Sequence, residues 1–240
     1  MPRVNTAPIT LYITPKCDIP KQARKIGKIE AGFVMKGFDL KGETGIKNRG
    51  YYTEGLKACL GGVVLGKKLN NMFHENSSIY ADAEGSKRDI FAQITEKLTN
   101  MTNNAREKIH VMLFGGYGYG SNINTAEVEK SHNLFNNTAL CIEDIIPEKE
   151  GINIPLTTVW GKLDSSKPDS VYLRENAVIL VNDIFKSLFN KDGKCELTKD
   201  GIIDFLRKHY EEVQIPNSVE LVATEKYEPP KGFIDNIKKK

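Results

Sequence analysis

The stretch TEGLKACLGGVVL, residues 53 to 65, decides how this chain is read. It carries the adjacent glycines Gly61 and Gly62 and ends in two valines and a leucine. A small, apolar run of this kind fits a buried strand, and its glycines fit close packing against another layer. GKKLNN, at 66 to 71, supplies a turn, and MFH, at 72 to 74, falls on the returning strand. Two antiparallel strands joined by that turn place Cys59 opposite His74, with Thr53 on the approach to the first strand. Free cysteine is among the most buried residue types, so an apolar-flanked one is by default core. A nucleophilic thiol needs a base within hydrogen-bond reach and a third group that orients the base. Cys59, His74 and Thr53 are suitable residue types, and their spacing alone leaves both readings open.

The pattern extends outward from this hairpin. ITLYITP (9 to 15), KIEAGFVMKG (28 to 37), KIHVMLF (108 to 114), LCIEDII (140 to 146) and PLTTVWGKL (155 to 163) read as strands. Ser86 caps an expected helix running to about Asn100, with Ile90, Ile94, Leu98 and Met101 along one face. Thr125 caps a second, with Val128 and Phe135 inward. From Arg174 the spacing of Ala177, Val181, Ile184 and Leu188 predicts another helix. NKDGKCEL follows as a loop, and Thr198 caps a helix containing Ile202, Phe205 and Leu206. The expectation is an α/β domain over residues 1–173 and a helical hairpin with a tail over 174–240.

Composition narrows the function classes. The 240 residues are 40% hydrophobic and 27% charged, ordinary for a globular protein, and the net charge is +3. Basic and acidic residues are mixed along the chain, so a nucleic-acid partner is not expected. No apolar run approaches a membrane span, and the first residues lack the apolar core of a cleavable signal. The four cysteines, Cys17, Cys59, Cys141 and Cys195, lack zinc or disulfide-framework spacing and read as reduced thiols. The expected location is the cytoplasm, or outside the cell as an effector exported without a cleavable signal peptide. No metal and no cofactor are expected.

Ordered motifs then carry a resemblance. T-x-G-L-x-x-C, as Thr53, Gly55, Leu56 and Cys59, resembles the active-site segment of CheD, the chemoreceptor glutamine deamidase family. EAGFVMK (30 to 36), MFH (72 to 74), YAD (80 to 82), LFGG (113 to 116), Asn133 and IED (142 to 144) resemble further CheD segments in the same order. The likeness covers roughly residues 28 to 163, and at the same level the chain is similar to the Cys–His core of cytotoxic necrotising factor toxins. Lys57-Ala58 stands where the family has Gly-Ser. The resemblance implies a layered β-sandwich with two long helices and deamidation of glutamine on a protein substrate. It makes Cys59 the nucleophile, His74 its base and Thr53 the orienting group, through its hydroxyl or its carbonyl. Backbone N–H groups near Cys59 would hold the oxyanion.

The remaining motifs carry less. LFGGYGYGSN matches neither the phosphate-loop pattern nor the dinucleotide fingerprint. Gly115, Gly116, Tyr117 and Tyr119 are expected to edge the substrate cleft near Cys59. His110 and Trp160 read as core, and His132 and His209 as solvated. NKDGKCELTKDG puts Lys194 and Gly201 where a calcium loop needs acids, so no calcium is expected. The alternative to an enzyme is a catalytically idle binding module on the same fold. A peptidase or transglutaminase would keep the cysteine chemistry.

Overall fold

In the computed structural model the described residues form a mixed α/β structure with two six-stranded sheets and few helices. The structure describes residues 8–20, 23–28, 30–35, 50–66, 69–76, 109–117, 125–144, 155–162, 167–174 and 176–229. The first sheet holds β1 (Ile9–Thr14), β2 (Arg24–Lys25), β4 (Tyr51–Glu54), β9 (Ser170–Arg174), β10 (Ala177–Val181) and β12 (Val219–Ala223). Its order is β12-β1-β10-β9-β4-β2. The second holds β3 (Glu30–Met35), β5 (Cys59–Leu65), β6 (Leu69–Asn76), β7 (His110–Tyr117), β8 (Leu156–Lys162) and β11 (Glu212–Gln214). Its order is β11-β8-β7-β5-β6-β3.

One apolar cluster takes side chains from both sheets. Leu11, Ile13, Val171, Leu173, Val178 and Leu180 come from the first, and Cys59, Val63, Met72, Met112, Phe114 and Val159 from the second. The alternation along β5 is therefore real although every residue in it is buried. On the other face of the second sheet, α1 (Thr125–Asp144) lays Phe135 flat on Trp160, ring centroids 4.3 Å apart. α2 (Lys199–His209) closes the first cluster with Ile202 and Leu206.

Several expectations are corrected. The run from Thr53 to Leu65 is not one strand. Gly55 and Ala58 adopt positive φ, 74° and 50°, and between them the chain passes from the first sheet to the second. The LCIED part of LCIEDII is not a strand: α1 continues to Asp144, since nothing between Leu134 and Asp144 breaks a helix. The CheD-like Ile-Glu-Asp therefore ends a helix here. The residues from Ala177 form no helical hairpin. AVILV is β10, paired antiparallel with β9 and parallel with β1, and a 3-10 turn (Asp183–Leu188) follows it. A run of β-branched residues buried on both faces favours a central strand over the helix that its spacing also allows. The boundary expected at 173/174 thus falls inside a β-hairpin. The helix expected over 86–100 lies outside the described residues. Thr198 does cap α2, accepting from the Gly201 N–H at 3.2 Å.

Candidate active site

Thr53 is on β4, in the first sheet, and its side chain is buried. Its hydroxyl donates to the Ile26 carbonyl at 3.0 Å and lies 2.7 Å from His74 Nδ1. A hydroxyl has one proton, and here Ile26 takes it. The bond to His74 must then run the other way, with Nδ1–H donating to the Thr53 oxygen. This network assigns the imidazole its Nδ1–H tautomer and leaves Nε2 with its lone pair. Nε2 is buried and has no hydrogen-bond partner among the described residues. The orienting group is thus the Thr53 hydroxyl.

Cys59 begins β5 and lies in the cluster between the sheets. It is opposite Asn76, and His74 is opposite Gly61. The expected direct pairing of Cys59 with His74 is therefore corrected by two residues. Because side chains alternate, the offset keeps both on one face as diagonal neighbours. Between them Gly61 offers no side chain, and Leu56 fills the space: a Cβ on Gly61 would meet Leu56 Cδ1 at 2.7 Å. No hydrogen bond joins the thiol to His74 Nε2.

The electrostatics follow from this dry setting. Burial pushes the Cys59 thiol up to about 11, against which the Lys28 charge acts, while Glu75 adds to the rise. Burial holds His74 down at about 4, and Lys28 lowers it further. The resting pair is therefore an uncharged thiol and an uncharged imidazole. Three backbone donors just ahead of Cys59 are already committed. Leu56 N–H bonds Asp169 O, Lys57 N–H bonds Gly55 O, and Ala58 N–H bonds Gly116 O. These three are not open to an oxyanion.

The glycine loop is placed differently from expectation. Gly116 lies opposite Cys59 and Gly115 opposite Leu60. At φ 144°, a Cβ on Gly116 would sit 1.9 Å from the Gly161 carbonyl oxygen, so these glycines serve close strand packing. Tyr117 turns to the α1 face, edge-on to Trp160, and does not line the side that holds Cys59. Its hydroxyl donates to Glu211 and therefore accepts from His132 Nε2 at 2.9 Å. His132 is thus half-buried in an aromatic cluster rather than solvated. Tyr119 lies outside the described residues. His110 is a satisfied core residue, 2.7 Å from Thr157 Oγ1. Among the described residues no group of three or more His, Cys, Asp or Glu could hold a metal ion, and no helix is long and apolar enough to cross a membrane.

No protein-family model matches the chain, and no curated protein matches it. The site must therefore be judged on its own geometry.

Sequence reading missed two contributors. Lys28, on the turn before β3, acts electrostatically on both Cys59 and His74. Asp169, wholly buried, accepts from Asn182 Nδ2 and from the Tyr210 hydroxyl, each at 2.9 Å. Its carbonyl holds Leu56, so it ties the segment before Cys59 to the C-terminal elements. Burial lifts its carboxyl to about 7 despite those two donors. Neither residue lies in a local motif that would mark it.

Proposed function

We propose that this chain is a cysteine-dependent amidohydrolase that deamidates glutamine on a protein substrate, on a layered β-sandwich of the CheD type. The observation that carries the reading is the Thr53–His74 hydrogen bond, which leaves a lone pair on a buried Nε2 on the face that holds Cys59. A buried polar atom with no partner calls for a reason, and acceptance of a proton is one. Because the resting pair is uncharged, proton transfer accompanies attack. Cys59 Sγ bonds to the carboxamide carbon as its proton passes to His74 Nε2. The tetrahedral oxyanion collapses, imidazolium gives that proton to the departing nitrogen, and ammonia leaves. Water, deprotonated by His74, then opens the thioester to glutamate and restores the thiol.

A second reading has its own support. The burial of Cys59 and its thiol at about 11 favour an inert core residue in a protein-binding module. One experiment separates the two. A glutamine-rich protein mixture incubated with the chain is examined for released ammonia and for glutamines about one dalton heavier. The enzyme reading expects both with the native chain and neither with Cys59→Ser or His74→Gln. Identical results from all three chains overturn it. Cleaved products or added amines would instead mark a peptidase or a transglutaminase.

A further inference from the structure

The backbone places Lys28 between two elements of the site. It lies two residues after Ile26, whose carbonyl fixes the Thr53 hydroxyl. It lies two residues before Glu30, which is opposite His74 in the β3–β6 register. The turn between is held by the Gly27 N–H donating to Glu30 Oε2 at 2.8 Å. One short segment thus anchors the third member of the triad, pairs with the strand of the second, and presents an exposed lysine between those anchors. Among the described residues Lys28 joins no ion pair. Its charge acts on Cys59 and on His74 alike.

These placements meet a need of the reaction. Attack by a thiol on a carboxamide creates an oxyanion, which must face a donor or a positive charge in a dry site. The N–H groups of Leu56, Lys57 and Ala58 are spent on carbonyls. Imidazolium is disfavoured beside a second cation, so His74 serves as base rather than as standing counter-charge.

We propose that Lys28 is a fourth catalytic residue, its ammonium supplying the charge that holds the tetrahedral oxyanion formed at Cys59. The assignment rests on the amidohydrolase reading and adds a group to it. No proton of Lys28 moves: the ammonium stays charged while oxygen gains and then returns the electron pair of the carbonyl.

The test uses the full chain and two small alkylating agents, uncharged iodoacetamide and anionic iodoacetate, with modification at Cys59 read by peptide mass spectrometry. A cation near the thiol favours the anionic reagent. Lys28→Gln is expected to lower the iodoacetate-to-iodoacetamide rate ratio at Cys59 about tenfold. Lys28→Arg, which keeps the charge, should restore it. A ratio unmoved by Lys28→Gln, or a Cys59 that neither reagent reaches, overturns the assignment. His74→Gln separates the two ideas. If it leaves the iodoacetamide rate unchanged, the Cys–His reading fails, whatever the ratio does at Lys28.

Discussion

Thr53 and His74 belong to different sheets, and the bond between them joins the two across the interior. The imidazole is thus positioned by a strand that shares no ladder with its own. The sheets cannot shift relative to each other without losing the group that sets the tautomer of His74. Loss of the hydroxyl is the direct test. Thr53→Val should leave Nδ1–H buried and unpaired, costing roughly 1–3 kcal/mol in denaturant unfolding. Nitrogen NMR of His74 should show the Nδ1–H tautomer losing its dominance, and Thr53→Ser should retain it.

Three buried groups make stability depend on pH with opposing signs. His74 and His110 are each held at about 4, below an ordinary 6.5, so the folded chain refuses protons that the unfolded chain takes. Their contribution is full above 6.5 and is lost as pH falls towards 4. Asp169, raised from 3.8 to about 7, works in reverse: its contribution is full below 3.8 and is lost as pH rises towards 7. Near pH 5 the unfolded chain then carries about one more proton than the native chain. Stability should climb by about 1 kcal/mol per pH unit between about 4.5 and 6. Asp169→Asn removes the opposing group, and the slope from urea titrations should about double. A native slope near zero would contradict this balance.

Two glycines that share positive φ should respond very differently to alanine. At Gly55 a Cβ meets nothing within 4 Å, so Gly55→Ala costs only the left-handed backbone, about 1 kcal/mol. At Gly116 a Cβ would collide with the backbone of Gly161, so Gly116→Ala should cost several times more, about 3 kcal/mol or above. Equal melting temperatures for the two variants would show the β7–β8 contact to be loose.

Leu56 covers the gap between Cys59 and His74, and its removal should expose the thiol. Leu56→Ala is expected to cost about 2–5 kcal/mol. It should also speed iodoacetamide modification of Cys59 severalfold at a pH where the native fold persists. If the rate is unchanged in a folded variant, Leu56 is ordinary core and the cover lies elsewhere.

Much of this was legible in the sequence, for a physical reason in each case. β1, β3, β6, β7 and β8 announce themselves by short apolar or alternating runs between turn residues, and α2 by a threonine cap ahead of an amphipathic repeat. Cys59, His74 and Thr53 were visible as residue types. That Thr53 orients His74 came only from the resemblance, and spacing could not show that the link crosses sheets, with the left-handed Ala58 on the crossing, a conformation that nothing in an alanine foretells. β10 was hidden because AVILV satisfies helical and strand spacing alike, and only its burial between β1 and β9 decides. Lys28 and Asp169 act on the site through space, and local spacing cannot encode that.

The place of β1 has a consequence for how the protein is made. Its two neighbours, β10 and β12, both come from the last third of the chain, and Thr10 bonds Glu220 across 210 residues. A ribosome releases β1 well before either partner, so both edges of that strand wait open while the intervening chain is made. Such a sheet is completed only once those distant strands have emerged, which favours slow folding and exposes the nascent chain to aggregation meanwhile.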